Sequence, residues 1–148
     1  MLELETFKTV VASTPLVSID LIIRNSQDQV LLGLRNNRPA QGYWFVPGGR
    51  IQKDERLDDA FRRLVTVELG TTAEFDQASF LGPYQHFYPD NFSGDTFSTH
   101  YVVLGYELML DIDLNDLPVQ QHQDYRWCTV DELLASEQVH QHTKDYFS

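Results

Sequence analysis

Glu68 occupies a position where an amphipathic helix would carry an apolar residue. At about 100° per residue, Leu57, Phe61, Leu64 and Glu68 share one narrow sector, so a carboxylate lies in line with the core-facing stripe. A carboxylate among buried groups is costly unless it is paired or coordinates a metal. Gly48-Gly49-Arg50, read as a glycine turn and short loop, leads into this helix. Six of the eight arginines (Arg35, Arg38, Arg50, Arg56, Arg62 and Arg63) crowd between positions 35 and 63. The planar guanidinium fork bonds phosphate oxygens in pairs. Arginines gathered around a glycine turn in an acidic chain suit a small anion held locally, although Arg56 and Arg62 read more simply as solvated helix charge.

The whole chain narrows the partners. Its net charge of −11, from 22 acidic and 11 basic residues, should repel nucleic acid and anionic membranes. The 148 residues, 42% of them apolar, fit a single packed domain spanning 1–148. Cys128 is the lone cysteine, which excludes an internal disulfide. There is no apolar run near the roughly 18 residues that a membrane span needs. Met1-Leu2-Glu3-Leu4-Glu5 is acidic where a signal peptide would be basic, so a cytoplasmic location is expected.

The elements that must position these residues follow from patterning. Residues 1–15 read as a lead-in segment ending at Pro15. Residues 16–23 form a β-branched strand interrupted by Asp20, which shares a face with Leu16, Ser18 and Ile22; its non-functional reading is a satisfied polar residue at a sheet edge. The turn Asn25-Ser26-Gln27-Asp28 joins it to a strand over 29–35 as a hairpin. A polar loop over 36–42 precedes an aromatic strand at 43–46. The helix spans 56–69, with Asp54 as N-cap and Gly70 as the C-terminal stop. Strands are expected over 75–88, broken at Gly82-Pro83, and over 98–110. An acidic connection over 111–123 leads to a strand at 125–128, a helix at 130–135 and a helical turn near 140–147. This order is α+β, with helices against a mixed sheet.

Counting from Gly49 gives five residues to Glu55, seven more to Arg63, then apolar Val65, Glu68 and Gly70 in register. Over these 23 positions the chain resembles the Nudix box, G-x5-E-x7-R-E-U-x-E-E-x-G-U, where U is apolar. Leu64 and Val67 stand where the box has glutamates, and Thr71 replaces its last apolar residue. Positions 64, 67 and 68 lie within about 100° of one another on a helix, so three carboxylates there would gather several cations beside a diphosphate. One surviving carboxylate supports fewer, most simply one.

The altered box is similar to that of the GDP-mannose mannosyl hydrolases, a Nudix branch. The likeness extends through Thr14-Pro15-Leu16-Val17-Ser18, residues 37–50, Gln85-His86-Phe87-Tyr88, Asp90-Asn91-Phe92-Ser93-Gly94, residues 99–105 and Tyr125-Arg126-Trp127. The resemblance implies a Nudix fold, an αβα sandwich around a central mixed β-sheet. It further implies hydrolysis of GDP-mannose, with GDP-glucose as a second substrate, to GDP and the free sugar. Water attacks the anomeric carbon with inversion while one Mg²⁺, or Mn²⁺ in its place, assists the leaving GDP. The implied metal ligands are the Gly48 carbonyl, Glu68 and Gln121, all oxygen donors of the kind Mg²⁺ takes. His122 corresponds to the general base, a role suited to a group of reference pKa about 6.5. Arg35, Arg50 and Tyr101 correspond to residues that bind and stabilise the departing diphosphate, while Asp20 and His86 correspond to sugar-side positions. Arg63 is expected to brace the loop by pairing with Glu55. His100, His140 and His142 have no counterpart role and read as structural or surface residues. Phe7, Tyr43, Trp44 and Phe92 are available to guanine, with none assigned. The branch forms homodimers, so one is expected here. Two alternatives stay open: a Nudix pyrophosphohydrolase attacking phosphorus, and a non-catalytic nucleotide-sugar binding protein.

Overall fold

The computed structural model describes residues 2–118 and 124–148. Its centre is β1 (Leu16–Arg24), whose Val, Ile and Leu content suits a strand buried on both faces. Along it runs β6 (Thr99–Met109), parallel and in continuous register from Leu16–Tyr101 to Arg24–Met109. β5 (Ser79–Tyr88) closes that side as an antiparallel edge, with a register shift between Phe80 and Gly82 where the sequence signalled a break. On the other side β2 (Val30–Leu34) pairs with β1 at Arg24–Val30, giving the expected hairpin. β3 (Trp44–Phe45) and β7 (Tyr125–Cys128) both pair with β2.

The residues 48–50, expected as a turn, form a short strand instead. β4 (Gly48–Arg50) runs antiparallel to β1, with Ser18 opposite Arg50 and Asp20 opposite Gly48. Asp20 therefore lies on a central strand, not at a sheet edge. β1 exchanges one antiparallel neighbour, β2, for another, β4, partway along its length.

Helices cover the sheet on both faces, as a Nudix fold requires. α2 (Leu57–Leu69) packs Phe61, Leu64, Val65 and Leu69 against Ile19, Leu21 and Ile23, the odd-numbered face of β1. Ile22 of the opposite face joins Val30, Leu32, Trp44 and Val46 in a second core group with Leu133 and Val139. That group is capped by α3 (Val130–Ala135), started by a reciprocal Thr129–Glu132 capping box, and by the short α4 (Gln141–Lys144). α2 ends as the sequence indicates: Gly70 adopts φ 68° and its N–H closes on the Thr66 carbonyl. Its start differs. Arg56 is the N-cap position without a side-chain cap, Asp54 stands in the preceding turn at φ 67°, and Leu57 is 43% exposed. Asp58 and Asp59 in the first turn supply the favourable charge for the helix dipole there.

The lead-in segment contains a helix that the sequence did not signal, α1 (Leu4–Ser13). Only Val11 of it is buried, so its periodicity was faint, yet its Phe7 ring reaches the candidate site.

Candidate functional site

Where β1 passes from β2 to β4, a cleft of about 280 Å³ opens. Asp20, Arg35, Gly48, Arg50, Glu68, His86 and Tyr101, which come from six separate parts of the chain, all line it. Gln121 and His122 lie outside the described residues. Arg63 does not line the cleft but braces it. Its guanidinium donates to both Glu55 carboxylate oxygens, at 2.7 and 2.9 Å, and to the Arg50 carbonyl at 2.8 Å. The loop bearing Glu55 is thereby tied to the strand bearing Arg50.

The two cleft arginines are held by their aromatic neighbours. Arg35 lies 3.9 Å over the Phe45 ring and donates to the Pro39 carbonyl at 2.9 Å. Arg50 lies 4.3 Å over Phe7 of α1, and Phe7 in turn packs on Phe92. Stacking fixes the guanidinium planes while leaving N–H groups for an oxygen-rich ligand. Burial raises the Tyr101 hydroxyl pKa, and the charges of Arg35 and Arg50 both oppose that rise. Two cations and a phenol hydroxyl thus converge on one region of the cleft. Burial likewise pushes Tyr88 up to about 12, again against the Arg35 charge.

Gly48 contributes through its backbone. Leu21 N–H bonds the Pro47 carbonyl and Ile51 N–H bonds the Val17 carbonyl, so the ladder bonds fall on odd-numbered residues of both strands. Gly48, opposite Asp20, is in the other kind of pair and turns its carbonyl away from β1. A Cβ here would collide with the Ile19 carbonyl and stand 2.6 Å from Asp20 Oδ1. Glu68 enters the cleft from α2 with 6% of its surface exposed. Its charge acts on Arg63 and on Tyr125, whose hydroxyl is pushed up to about 12 chiefly by burial. Among the described residues no three His, Cys, Asp or Glu side chains gather into a metal cage. The Glu68 carboxylate and the outward Gly48 carbonyl nonetheless both belong to residues lining the cleft, and as hard oxygen donors they fit a hard divalent cation.

Against Asp20 and His86 stand groups that the sequence reading set aside. His142, read as structural or surface, stacks on His86 with ring centroids 4.3 Å apart and planes 4° apart, and its Nε2 bonds the Phe87 carbonyl at 3.2 Å. His140 packs on His142 and stacks on Phe45. Burial, followed by neighbouring positive charge, pulls His86 down to about 3 and His140 to about 4. His86 is 5% exposed, and its Nε2 has no hydrogen-bond partner among the described residues. Tyr146 donates to Asp20 Oδ2 at 2.6 Å. Desolvation raises Asp20 to about 6, moderated by that hydrogen bond and by the Arg35 charge. His100 stacks on Phe87 and is not among the residues lining the cleft.

A mixed sheet between helices, with a glycine strand and α2 bordering a cleft at its fork, is the architecture of a Nudix domain. The NUDIX domain profile matches residues 14–147, and the chain belongs to that family. Nudix hydrolases act on small molecules and generally use divalent metal ions such as Mg²⁺. Among its relatives is the low-salt glycan biosynthesis protein Agl8 of Haloferax volcanii, 41% identical over 119 residues that cover 80% of this chain and 74% of the relative. The fold is shared with the MutT protein of Methanosarcina mazei Go1, at TM-score 0.71 and 23% identity over 91% of this chain and 92% of that one. It is shared too with a MutT Nudix hydrolase of Burkholderia pseudomallei, at TM-score 0.69 and 21% identity over 90% and 96%. No helix among the described residues is long and apolar enough to cross a membrane.

Proposed function

We propose that this Nudix hydrolase cleaves GDP-mannose to GDP and mannose by water attack at the anomeric carbon. The observation that carries the reading is that one cleft lining combines two kinds of group. Arg35, Arg50 and Tyr101 converge where a diphosphate would need charge and donors, and beside them Asp20 and His86 supply a carboxylate and an imidazole suited to sugar hydroxyls. A relative named for glycan biosynthesis is in keeping with a sugar-bearing substrate.

In this reading Arg35 and Arg50 grip the diphosphate and Tyr101 donates to it, so all three stabilise the charge that grows as the C1–O bond breaks. Glu68, the Gly48 carbonyl and Gln121 would hold Mg²⁺, which supplies Lewis-acid neutralisation of the leaving diphosphate. His122 takes a proton from the attacking water, whose oxygen becomes the anomeric hydroxyl of inverted mannose; the bonding pair leaves with GDP. Leu64 and Val67, in place of carboxylates, leave the helix one acidic ligand and favour attack at carbon over attack at phosphorus.

Turnover in ¹⁸O water with Mg²⁺ tests this. Label in mannose is expected. Label in GMP or mannose phosphate would instead establish a pyrophosphohydrolase, and tight binding without product would establish a binding protein.

A further inference from the structure

Two residues from the last turn of the chain stand directly behind the two sugar-side groups. Tyr146 bonds Asp20 Oδ2, and His142 stacks on His86. Asp20 is thereby oriented in a definite way: Oδ2 is taken by Tyr146, and Oδ1 points toward Gly48. The slot that admits Tyr146 is visible in the strand beside it. Gly105 of β6 is the register partner of Asp20, and a Cβ there would stand 2.8 Å from Tyr146 Cε1. Gly105 has no left-handed backbone that would require glycine, so its missing side chain serves to let the tyrosine ring lie on the strand. Tyr84 packs edge-on against the same ring, with centroids 4.5 Å apart.

We propose that Tyr146, seated on Gly105, is a positioning residue that fixes Asp20 so that Oδ1 alone accepts a hydroxyl of the substrate's sugar, making the C-terminal turn a determinant of sugar recognition. This rests on the functional reading above. A carboxylate free to rotate would present either oxygen, and the ordering cost would fall on substrate binding; a held carboxylate has that cost met in the fold. The role is indirect, so it should show in the sugar half of the ligand and not in the GDP half.

The experiment compares wild type, Tyr146→Phe, Gly105→Ala, Asp20→Asn and the Asp20→Asn/Tyr146→Phe double variant. GDP-mannose kinetics and GDP binding are measured for each with Mg²⁺. Tyr146→Phe should lower kcat/KM about tenfold, in line with losing one hydrogen bond to a charged group, while the GDP Kd stays within about twofold. Gly105→Ala should reproduce the loss by displacing the ring without touching its hydroxyl. In the Asp20→Asn background, Tyr146→Phe should add nothing beyond about twofold. Unchanged kcat/KM in Tyr146→Phe, full additivity with Asp20→Asn, or an equal loss of GDP affinity would each overturn the proposal. Wild type that binds GDP but leaves GDP-mannose intact would overturn the functional reading and this inference with it; active wild type with an indifferent Tyr146→Phe variant overturns the inference alone.

Discussion

Leu64 fills the space that a side chain on Gly49 would need, for a Cβ on that glycine would stand 2.5 Å from Leu64 Cδ2. Gly49 faces α2 from β4, and Leu64 is 3% exposed in the core group that includes Ile19, the register partner of Gly49. Gly49→Ala should therefore destabilise the protein by about 1–3 kcal/mol through overpacking. Leu64→Ala should itself cost about 2–5 kcal/mol in lost packing, but the double variant should lose less than the sum of the two, because the smaller side chain removes the collision. Urea denaturation of the two single variants and the double variant should show coupling of about 0.5 kcal/mol or more; simple additivity would mean that the strand shifts to relieve the contact by another route.

The same contact marks what the sequence could and could not convey. The Leu64 position within α2 was legible from periodicity, as was the end of the helix at Gly70, because both are local signals. Val67, apolar in the same helix, is by contrast 42% exposed. α1 escaped because Thr9, Val10 and Val11 are indifferent helix formers and one buried residue leaves little pattern. The Tyr146–Asp20 bond spans 126 positions and has no local signature on either side. Gly105 was the available hint, since an isolated glycine inside a strand without a turn signals close approach by another group.

Arg63 makes the loop before α2 a rigid part of the cleft, and Arg63→Met should undo it. Loss of the guanidinium leaves Glu55, whose side chain is 14% exposed, without its paired donor and frees the Arg50 carbonyl. Hydrogen bonds to charged groups are worth about 1.5–3 kcal/mol each, so a loss of that order is expected at pH 7. The Arg63 hydrogen bond holds the Glu55 carboxyl below its ordinary value of 4.5. Its contribution is present above that value and disappears as pH falls through the lower folded one. Chemical denaturation of both proteins at pH 7 and pH 3 should show a narrower gap at pH 3, with the part due to the Arg50 carbonyl remaining.

Acid should also loosen the histidine wall. In the unfolded chain these imidazoles titrate near 6.5, whereas His86 is held at about 3, His140 at about 4, and His142 also below 6.5, mainly by burial. Their stabilising contribution is complete above pH 6.5 and declines as pH falls toward the folded values. Asp20 works in the opposite sense: raised from 3.8 to about 6, its contribution is present below 3.8 and lost as pH rises through 6. With three imidazoles against one carboxyl, Tm should fall from pH 6.5 to pH 4.5. His142→Asn keeps a donor for the Phe87 carbonyl but cannot take up a proton. Its Tm should fall less over the same interval, as calorimetry at stepped pH would register; parallel curves would remove His142 from the titrating set.

Glu68 and His122 are assigned different tasks, and isosteric substitutions separate them. Glu68→Gln retains size and hydrogen bonding but removes the carboxylate that lines the cleft together with Gly48. It should raise the Mg²⁺ concentration needed for half-maximal GDP-mannose turnover and lower kcat together, since a hard cation loses its charged ligand. His122→Gln should leave the Mg²⁺ titration and GDP binding near wild type while lowering kcat by about 10²–10⁴, the usual worth of a general base. Glu68 also acts electrostatically on Arg63 and Tyr125, so its variant needs a stability control. A Glu68→Gln protein with lowered Tm and an unmoved Mg²⁺ titration would assign that carboxylate to the Arg63–Tyr125 neighbourhood and not to the metal. A His122→Gln protein with near-normal kcat would place proton removal elsewhere, and the raised pKa of Asp20 would make it the next residue to test.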